Sequence, residues 1–85
     1  MANYLVTYDL NKTGQNYDGL IGAIKKFTWY GVLKSAWLIK STSSAAEISK
    51  YLLPHIDKND RLLVCEINSN RDGWLDQAAW DFLKK

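Results

Sequence analysis

Asp9 is the residue whose type and position most clearly suggest chemistry in this chain. It lies at the end of an apolar, β-branched run, YLVTYDL at residues 4–10, and the polar turn NKTGQN at residues 11–16 directly follows that run. A carboxylate at the end of a central strand is costly to bury unless something pairs with it. We therefore expect Asp9 to have a partner. Backbone amides of the turn, a metal ion and a second copy of the chain all remain open.

A divalent cation gives such a carboxylate a chemical purpose. Mg²⁺ binds hard oxygen ligands and keeps several waters, so one or two carboxylates suffice beside substrate phosphates. A dimer that brings two copies of Asp9 together would supply that pair from a single position in the sequence. The competing interpretation makes Asp9 a turn residue that accepts backbone N–H groups between Leu10 and Gly14.

Three neighbours could orient a water or a phosphate beside Asp9, namely Tyr8, Asn11 and Ser35. Each also has a structural interpretation. Tyr8 is typical of an aromatic side chain packed on a half-buried sheet, Asn11 is ordinary turn chemistry, and Ser35 could mark the edge of a strand.

The remaining reactive side chains point to structure rather than chemistry. Glu66 could face Asp9 or bind Lys40, but an exposed edge position is the favoured interpretation. The single Cys65 excludes an intrachain disulfide and is interpreted as a small core residue. His55, the only histidine, has no second ligand nearby and so predicts neither a metal centre nor a nucleophile.

The composition predicts one small domain spanning residues 1–85, in a reducing, cytoplasmic setting and with no membrane partner. The formal charge is +2, and of the eleven basic residues only Arg61 and Arg71 are arginines that can grip a phosphate in two places. Nucleic-acid binding is therefore compatible with the composition without being indicated by it. No signal peptide or long apolar span is visible.

The elements that must position Asp9 follow from periodicity. The pattern predicts strands at 3–9, 28–33, 35–40 and 61–67, and helices at 16–27, from 45 to the Pro54 break, and at 75–83. Ser44 and Glu47 have the spacing of a capping box. The order gives an α+β fold with the ferredoxin-like βαββαβ pattern plus an extra C-terminal helix, and two helices on one face of an antiparallel sheet. The inward residues predicted for the last helix are Leu75, Ala78, Ala79 and Phe82.

Three sequence strings resemble a known group of proteins. VTYDLN at 6–11, SAWLI at 35–39 and DKND at 57–60 resemble strings found in small SinR-like proteins. These are related to the CRISPR-associated spacer-acquisition protein and to VapD-type toxin ribonucleases. The resemblance covers roughly residues 3–67. It implies a homodimer packed through the sheet faces that helices leave uncovered. It also implies that two copies of Asp9 near the dimer axis hold one Mg²⁺ or Mn²⁺, and that the protein is a metal-dependent endonuclease acting on RNA or DNA. In this resemblance Ser35 matches the serine that begins the third strand.

Two departures from that group keep a second interpretation open. The acquisition proteins carry several arginines on and after the first helix, whereas this chain has Lys25 and Lys26 there. They also end in an extra strand that crosses to the partner, where this chain predicts a helix. The alternative is a catalytically inactive dimeric adaptor or regulator, which binds a protein partner through a sheet edge or through its four tryptophans.

Overall fold

The computed structural model describes residues 1–11 and 17–85, and within them it shows a small α+β fold. The elements are β1 (Ala2–Asp9), α1 (Asp18–Ile24), β2 (Thr28–Leu33), β3 (Ala36–Ser41), α2 (Ala45–Leu52), β4 (Arg61–Ile67) and α3 (Gln77–Lys84). The strands form one sheet in the order β2-β3-β1-β4, and each neighbouring pair is antiparallel. This architecture is compatible with the predicted ferredoxin-like arrangement.

The sheet has two unlike faces. The first, called here the α1–α2 face, carries Tyr4, Val6 and Ile39, which pack with α1 and α2 in one core. Side chains alternate along a strand, so the second face, called the α3 face, carries Leu5, Thr7 and Asp9 of β1 and Leu38 of β3. Both faces are apolar near the middle, and each is covered by helix there.

The beginning and end of α2 confirm the prediction from its sequence. Glu47 donates its backbone N–H to Ser44 Oγ at 3.1 Å, and Ser44 donates its own N–H to Glu47 Oε1 at 2.9 Å. These two bonds satisfy amides that a helix start leaves without partners. The helix ends at Leu52, and a 3₁₀ turn that contains Pro54 follows it.

The first helix is shorter than predicted. It runs for seven residues, and Lys25 to Phe27 form a turn rather than another helical turn. Leu20 and Ile24 of this helix are fully buried, and the apolar periodicity of the sequence continues into Phe27, which packs against the core without being helical. The predicted turn at 11–16 lies outside the described residues beyond Asn11.

Helix α3 lies on the face opposite to α1 and α2, where Ala79 and Leu83 pack against Leu38. It begins two residues later than predicted, because Asp76 is the N-cap and accepts the N–H of Ala79. The buried stripe also differs from the prediction. Ala78, predicted to face inward, is exposed, and Leu83 is buried in its place.

Polar contacts fasten both ends of α3 to the sheet. Tyr30 donates its hydroxyl to the Asp76 carboxylate at the start of the helix. At the other end Lys40 Nζ donates to the Lys85 carbonyl at 3.0 Å. Burial, together with the nearby Lys85 and Arg71 charges, lowers the pKa of Lys40. These contacts hold α3 on the face that a sheet-to-sheet dimer was predicted to use.

The structure contains no membrane-spanning element among the helices it describes, since none has the length and apolar character needed to cross a bilayer.

Candidate functional site

Asp9 is the last residue of β1 and is exposed, on the α3 face and beside Arg61 of β4, its antiparallel register partner. The cost of burying an unpaired carboxylate therefore does not arise for Asp9. Asp9 lies at the end of the strand, where α3 does not cover it, so its side chain stays in contact with water. Asp9 is accessible to an external partner, and the predicted turn amides beyond Asn11 lie outside the described residues.

Two residues before Asp9 along β1, register partners on the same face form a row across all four strands. Leu33 pairs with Ala36, Ala36 with Thr7, and Thr7 with Leu63. The leucines at the two ends of this row are 63% and 56% exposed. The row thus presents apolar side chains to solvent on the same face as the charged residues Asp9 and Arg61, which are register partners.

A shallow cavity marks the β1–β4 part of this region. It has a volume of about 280 Å³ and is lined by Thr7, Tyr8, Asp9, Arg61, Leu62 and Leu63. A carboxylate and a guanidinium therefore stand at one opening. This is the chemical combination suited to a cation and to a phosphate oxygen, respectively.

Ser35 lies against the end of β1, as its predicted role requires, but its contact is made by the backbone. The Ser35 carbonyl accepts the Thr7 hydroxyl at 2.9 Å and the Tyr8 N–H at 3.2 Å. The side chain is exposed in the turn between β2 and β3. Ser35 thereby fixes the strand segment that carries Asp9.

The structure does not bring the Tyr8 hydroxyl to Asp9. Tyr8 points to the α1–α2 face, where its hydroxyl accepts the Trp37 Nε1–H at 3.0 Å. The interpretation of Tyr8 as a packed sheet aromatic accounts for this placement. Asn11 is exposed, and its backbone N–H donates to Asp60 Oδ1 at 2.7 Å.

Asp60 is a residue that the sequence reasoning missed. Its carboxylate is 6% exposed and accepts the Asn11 N–H, the Tyr17 hydroxyl at 3.2–3.3 Å and the Asp57 N–H at 2.9 Å. It therefore ties together the end of β1, the start of α1 and the turn that precedes β4. A buried carboxylate with several donors is a strong anchor.

Asp60 also bears on the site, because it holds both strands that carry charged site residues. Asn11 is two residues after Asp9, and Asp60 directly precedes Arg61. In the sequence, the string DKND carries only the resemblance to the SinR-like proteins. Nothing local signals that its last carboxylate reaches a backbone amide 49 residues away.

The other candidate residues lie apart from Asp9. Glu66 is exposed, as predicted, but it pairs in register with Tyr4 and so lies on the opposite face from both Asp9 and Lys40. Cys65 is half-buried rather than a core residue, and His55 is exposed in the 3₁₀ turn.

The tryptophans divide between packing and exposure. Trp29 and Trp37 pack edge to face at 5.4 Å, and Lys25 Nζ lies 4.8 Å from the centre of the Trp29 ring. Trp80 is half-buried in α3, whereas Trp74 is 99% exposed. The hairpin pair is therefore used within the fold, and Trp74 is not.

Among the residues that the structure describes, no cluster of three or more His, Cys, Asp or Glu side chains could hold a metal ion. Comparison of the sequence with models of known protein families and with curated proteins finds no match. The resemblance to the SinR-like, spacer-acquisition and VapD-type proteins stays a prediction, carried by the three strings named above. In the structure VTYDLN and DKND meet at the Asn11–Asp60 bond, and SAWLI lies beside β1.

Proposed function

We propose that this chain is a dimeric, ferredoxin-like protein of the spacer-acquisition and VapD group. In it, the Asp9 carboxylates of two copies hold one Mg²⁺ or Mn²⁺ and support metal-dependent cleavage of a phosphodiester in RNA or DNA. The observation that carries the proposal is the exposed Asp9 carboxylate at the end of the sheet, on the α3 face but outside the area that α3 covers.

The donor chemistry of Asp9 fits a hard divalent cation. Its carboxylate supplies oxygen ligands, it is open to solvent, and one from each of two copies gives the pair that such an ion accepts beside waters and phosphate oxygens. When bound, an ion of this kind polarises a phosphoryl oxygen and makes a bound water more acidic.

Arg61 supplies a phosphate contact in this proposal. It stands across from Asp9 on the neighbouring strand, on the same face, and its planar guanidinium can donate two N–H groups to one phosphate. A backbone phosphate held by Arg61 would therefore lie next to the carboxylate that binds the cation. The Thr7 and Tyr8 hydrogen bonds to the Ser35 carbonyl keep this strand end in place.

The test compares two carboxylate variants by thermal unfolding with and without Mg²⁺ or Mn²⁺. Cation binding to the folded state raises the melting temperature of the wild type by mass action, by several degrees for each kcal/mol at this chain length. Asp9→Asn keeps the shape of the side chain and removes the charge, so it should abolish the shift. Glu66→Gln is the matched control, since Glu66 is also an exposed strand carboxylate but lies on the other face.

Cleavage supplies the second reading of the same variants. Single-stranded RNA and duplex DNA are incubated with each protein, with and without the cation. Activity in the wild type and in Glu66→Gln that is lost in Asp9→Asn would support the proposal. If Asp9→Asn cleaves as well as the wild type, the activity belongs elsewhere. A wild type with neither a cation response nor cleavage would overturn the proposal.

A catalytically inactive adaptor or regulator remains the second candidate, because apolar side chains are exposed beside Asp9. Leu33, Leu63 and Trp74 all offer contact area that the fold itself does not use, and a protein partner is one occupant for such a surface. Under this alternative the cation leaves the melting temperature unchanged, whereas a charged residue in place of Leu63 weakens binding of the partner.

A further inference from the structure

Trp74 has an unusual environment for a tryptophan. It lies between β4 and α3, in a segment without regular secondary structure, and is 99% exposed. Tryptophan is highly buried on average, and its large apolar ring is the side chain most often used to anchor one protein on another. The fold gives this ring no packing role.

A cavity of the right character lies directly beside Trp74. It is enclosed by the α3 face of the sheet, by α3 and by the segment that carries Trp74, and its volume is about 210 Å³. Leu5, Leu38 and Ile67 contribute its apolar floor, and Arg71 and Asp72 also line it. A cavity of about 150 Å³ with aliphatic and aromatic walls is large enough for benzene, so this one is comparable in size to an indole ring.

The neighbour of Trp74 already contributes to this cavity. Leu75 lines it, while Trp74 projects into solvent. Trp74 therefore precedes a residue that lines the cavity, but its own ring lies in solvent and does not line it. A second molecule, approaching with its own segment, is the occupant that this arrangement favours.

We propose that two copies of this chain associate by exchanging Trp74, each indole entering the cavity of the other copy. The ring and the cavity belong to one surface, so the contact repeats itself under a two-fold axis and closes as a dimer. Arg71 and Asp72 give that surface one positive and one negative charge, which lets the Arg71 of each copy pair with Asp72 of the other.

The contact area supports a modest dimer. A buried aromatic side chain covers about 150–250 Å², so the two rings account for about 300–500 Å² and the cavity walls add a smaller area. Stable interfaces bury about 1,200–2,000 Å² in total. Leu33, which is 63% exposed and also lines the cavity, adds to this sum. We expect a dimer that dissociates at low concentration.

This inference goes beyond the proposed function, because it assigns the contact between copies rather than the chemistry at Asp9. Both regions are on the α3 face of the sheet. The two claims fail separately, since Trp74 and Asp9 are changed in separate variants.

The test is sedimentation of the wild type and of Trp74→Ala over a range of concentrations. Trp74→Ala should raise the dimer dissociation constant at least about 30-fold, the loss typical of an interface hot spot, with little change in the unfolding of the monomer. Leu53→Ala removes an apolar side chain that is 50% exposed in the 3₁₀ turn. It is the control and should leave the dimer unchanged.

Charge exchange at the cavity tests the two-fold arrangement itself. Arg71→Asp and Asp72→Arg should each weaken the dimer, and the double variant should restore it. Because Arg71 Nη1 also donates to the Asn68 carbonyl, the restored double variant is the decisive reading.

Three results would overturn the proposal. The first is an unchanged dissociation constant in Trp74→Ala. The second is a wild type that stays monomeric at about 100 μM, well above the dissociation constants of stable dimers. The third is a monomer whose Trp74 is protected from hydroxyl-radical labelling, because protection would place the ring in its own cavity. If Trp74→Ala is monomeric but keeps its cation response, the cation does not need two copies of Asp9. That result would contradict the shared Asp9 site and support the Trp74 contact.

Discussion

The two faces of the sheet differ in how completely helices close them. On the α1–α2 face, the large side chains at the centre are no more than 1% exposed, among them Val6, Leu20 and Ile39. On the α3 face the buried cluster is smaller, a cavity remains beneath α3, and Leu33, Leu63 and Trp74 are exposed. The two faces carry different side chains of the same strands, and different helices cover them.

This difference indicates that the two faces have different roles, one in the stability of the fold and the other in contacts with other molecules. A closed core gains free energy from each apolar side chain that leaves water, although Trp29 and Tyr51 on the α1–α2 side are still 41% and 45% exposed. The α3 face retains apolar surface, an exposed carboxylate and an arginine on the same side of the sheet. We therefore assign most of the folding free energy to the α1–α2 face and the external contacts to the α3 face.

The largest predicted effect compares the same substitution on both faces. Leu20→Ala should cost toward the upper end of the roughly 2–5 kcal/mol range for buried leucines, because the site is enclosed and cannot collapse. Leu83→Ala should cost toward the lower end, since Leu83 borders a cavity that is already open. Urea unfolding measures both. An equal or larger cost for Leu83→Ala would contradict the division between the faces.

The second prediction concerns Asp60, which joins the strands that carry Asp9 and Arg61. Asp60→Ala removes the acceptor of the Asn11 and Asp57 amides and of the Tyr17 hydroxyl, and each donor that stays buried costs about 1–3 kcal/mol. Asn59→Ala, an exposed change in the same turn, is the control and should be near neutral. Chemical denaturation of both variants tests this. Similar midpoints would mean that Asp60 does not anchor the site.

The smallest effect concerns the cap of α2 on the closed face. Ser44→Ala should cost about 0.5–2 kcal/mol, because a first-turn amide loses its acceptor.

Hydrogen bonds from the Ser44 backbone and side chain lower the pKa of Glu47 from its ordinary value of 4.5. Its contribution to stability is therefore present above pH 4.5 and is lost as the pH falls through the lower, folded value.

Glu47→Gln should accordingly flatten the acid side of the stability profile, measured by unfolding between about pH 3 and 6, where carboxylates titrate, and leave the alkaline side unchanged. If the profile of Glu47→Gln matches that of the wild type, the capping box contributes nothing through its charge.

The predictions from sequence succeeded where the signal was local. The β-branched and aromatic run of β2 and the continuous apolar run of β4 placed both strands at their observed bounds, and the Ser44–Glu47 spacing fixed the start of α2. The side of the sheet that receives α3 was not predicted, because an amphipathic pattern shows which side of a helix is apolar and not which surface it meets. The continuous apolar run of β4, RLLVCEI, carried a hint, since such runs are typical of strands covered on both faces.

The candidate site shows the same limit. The sequence singled out Asp9 and placed it at a strand end, but its exposure depends on how far α3 reaches. The position of Arg61 beside Asp9 depends on the pairing of β1 with β4. The Asn11–Asp60 bond likewise joins residues that only the folded chain brings together.

The central claim is that two copies of Asp9 share one divalent cation, and the ratio of metal to protein tests it most directly. Native mass spectrometry of the protein with Mn²⁺ should show one ion per two chains in the wild type and in Glu66→Gln, and a dimer without the ion in Asp9→Asn. One ion per chain, or an ion retained in Asp9→Asn, would contradict the account.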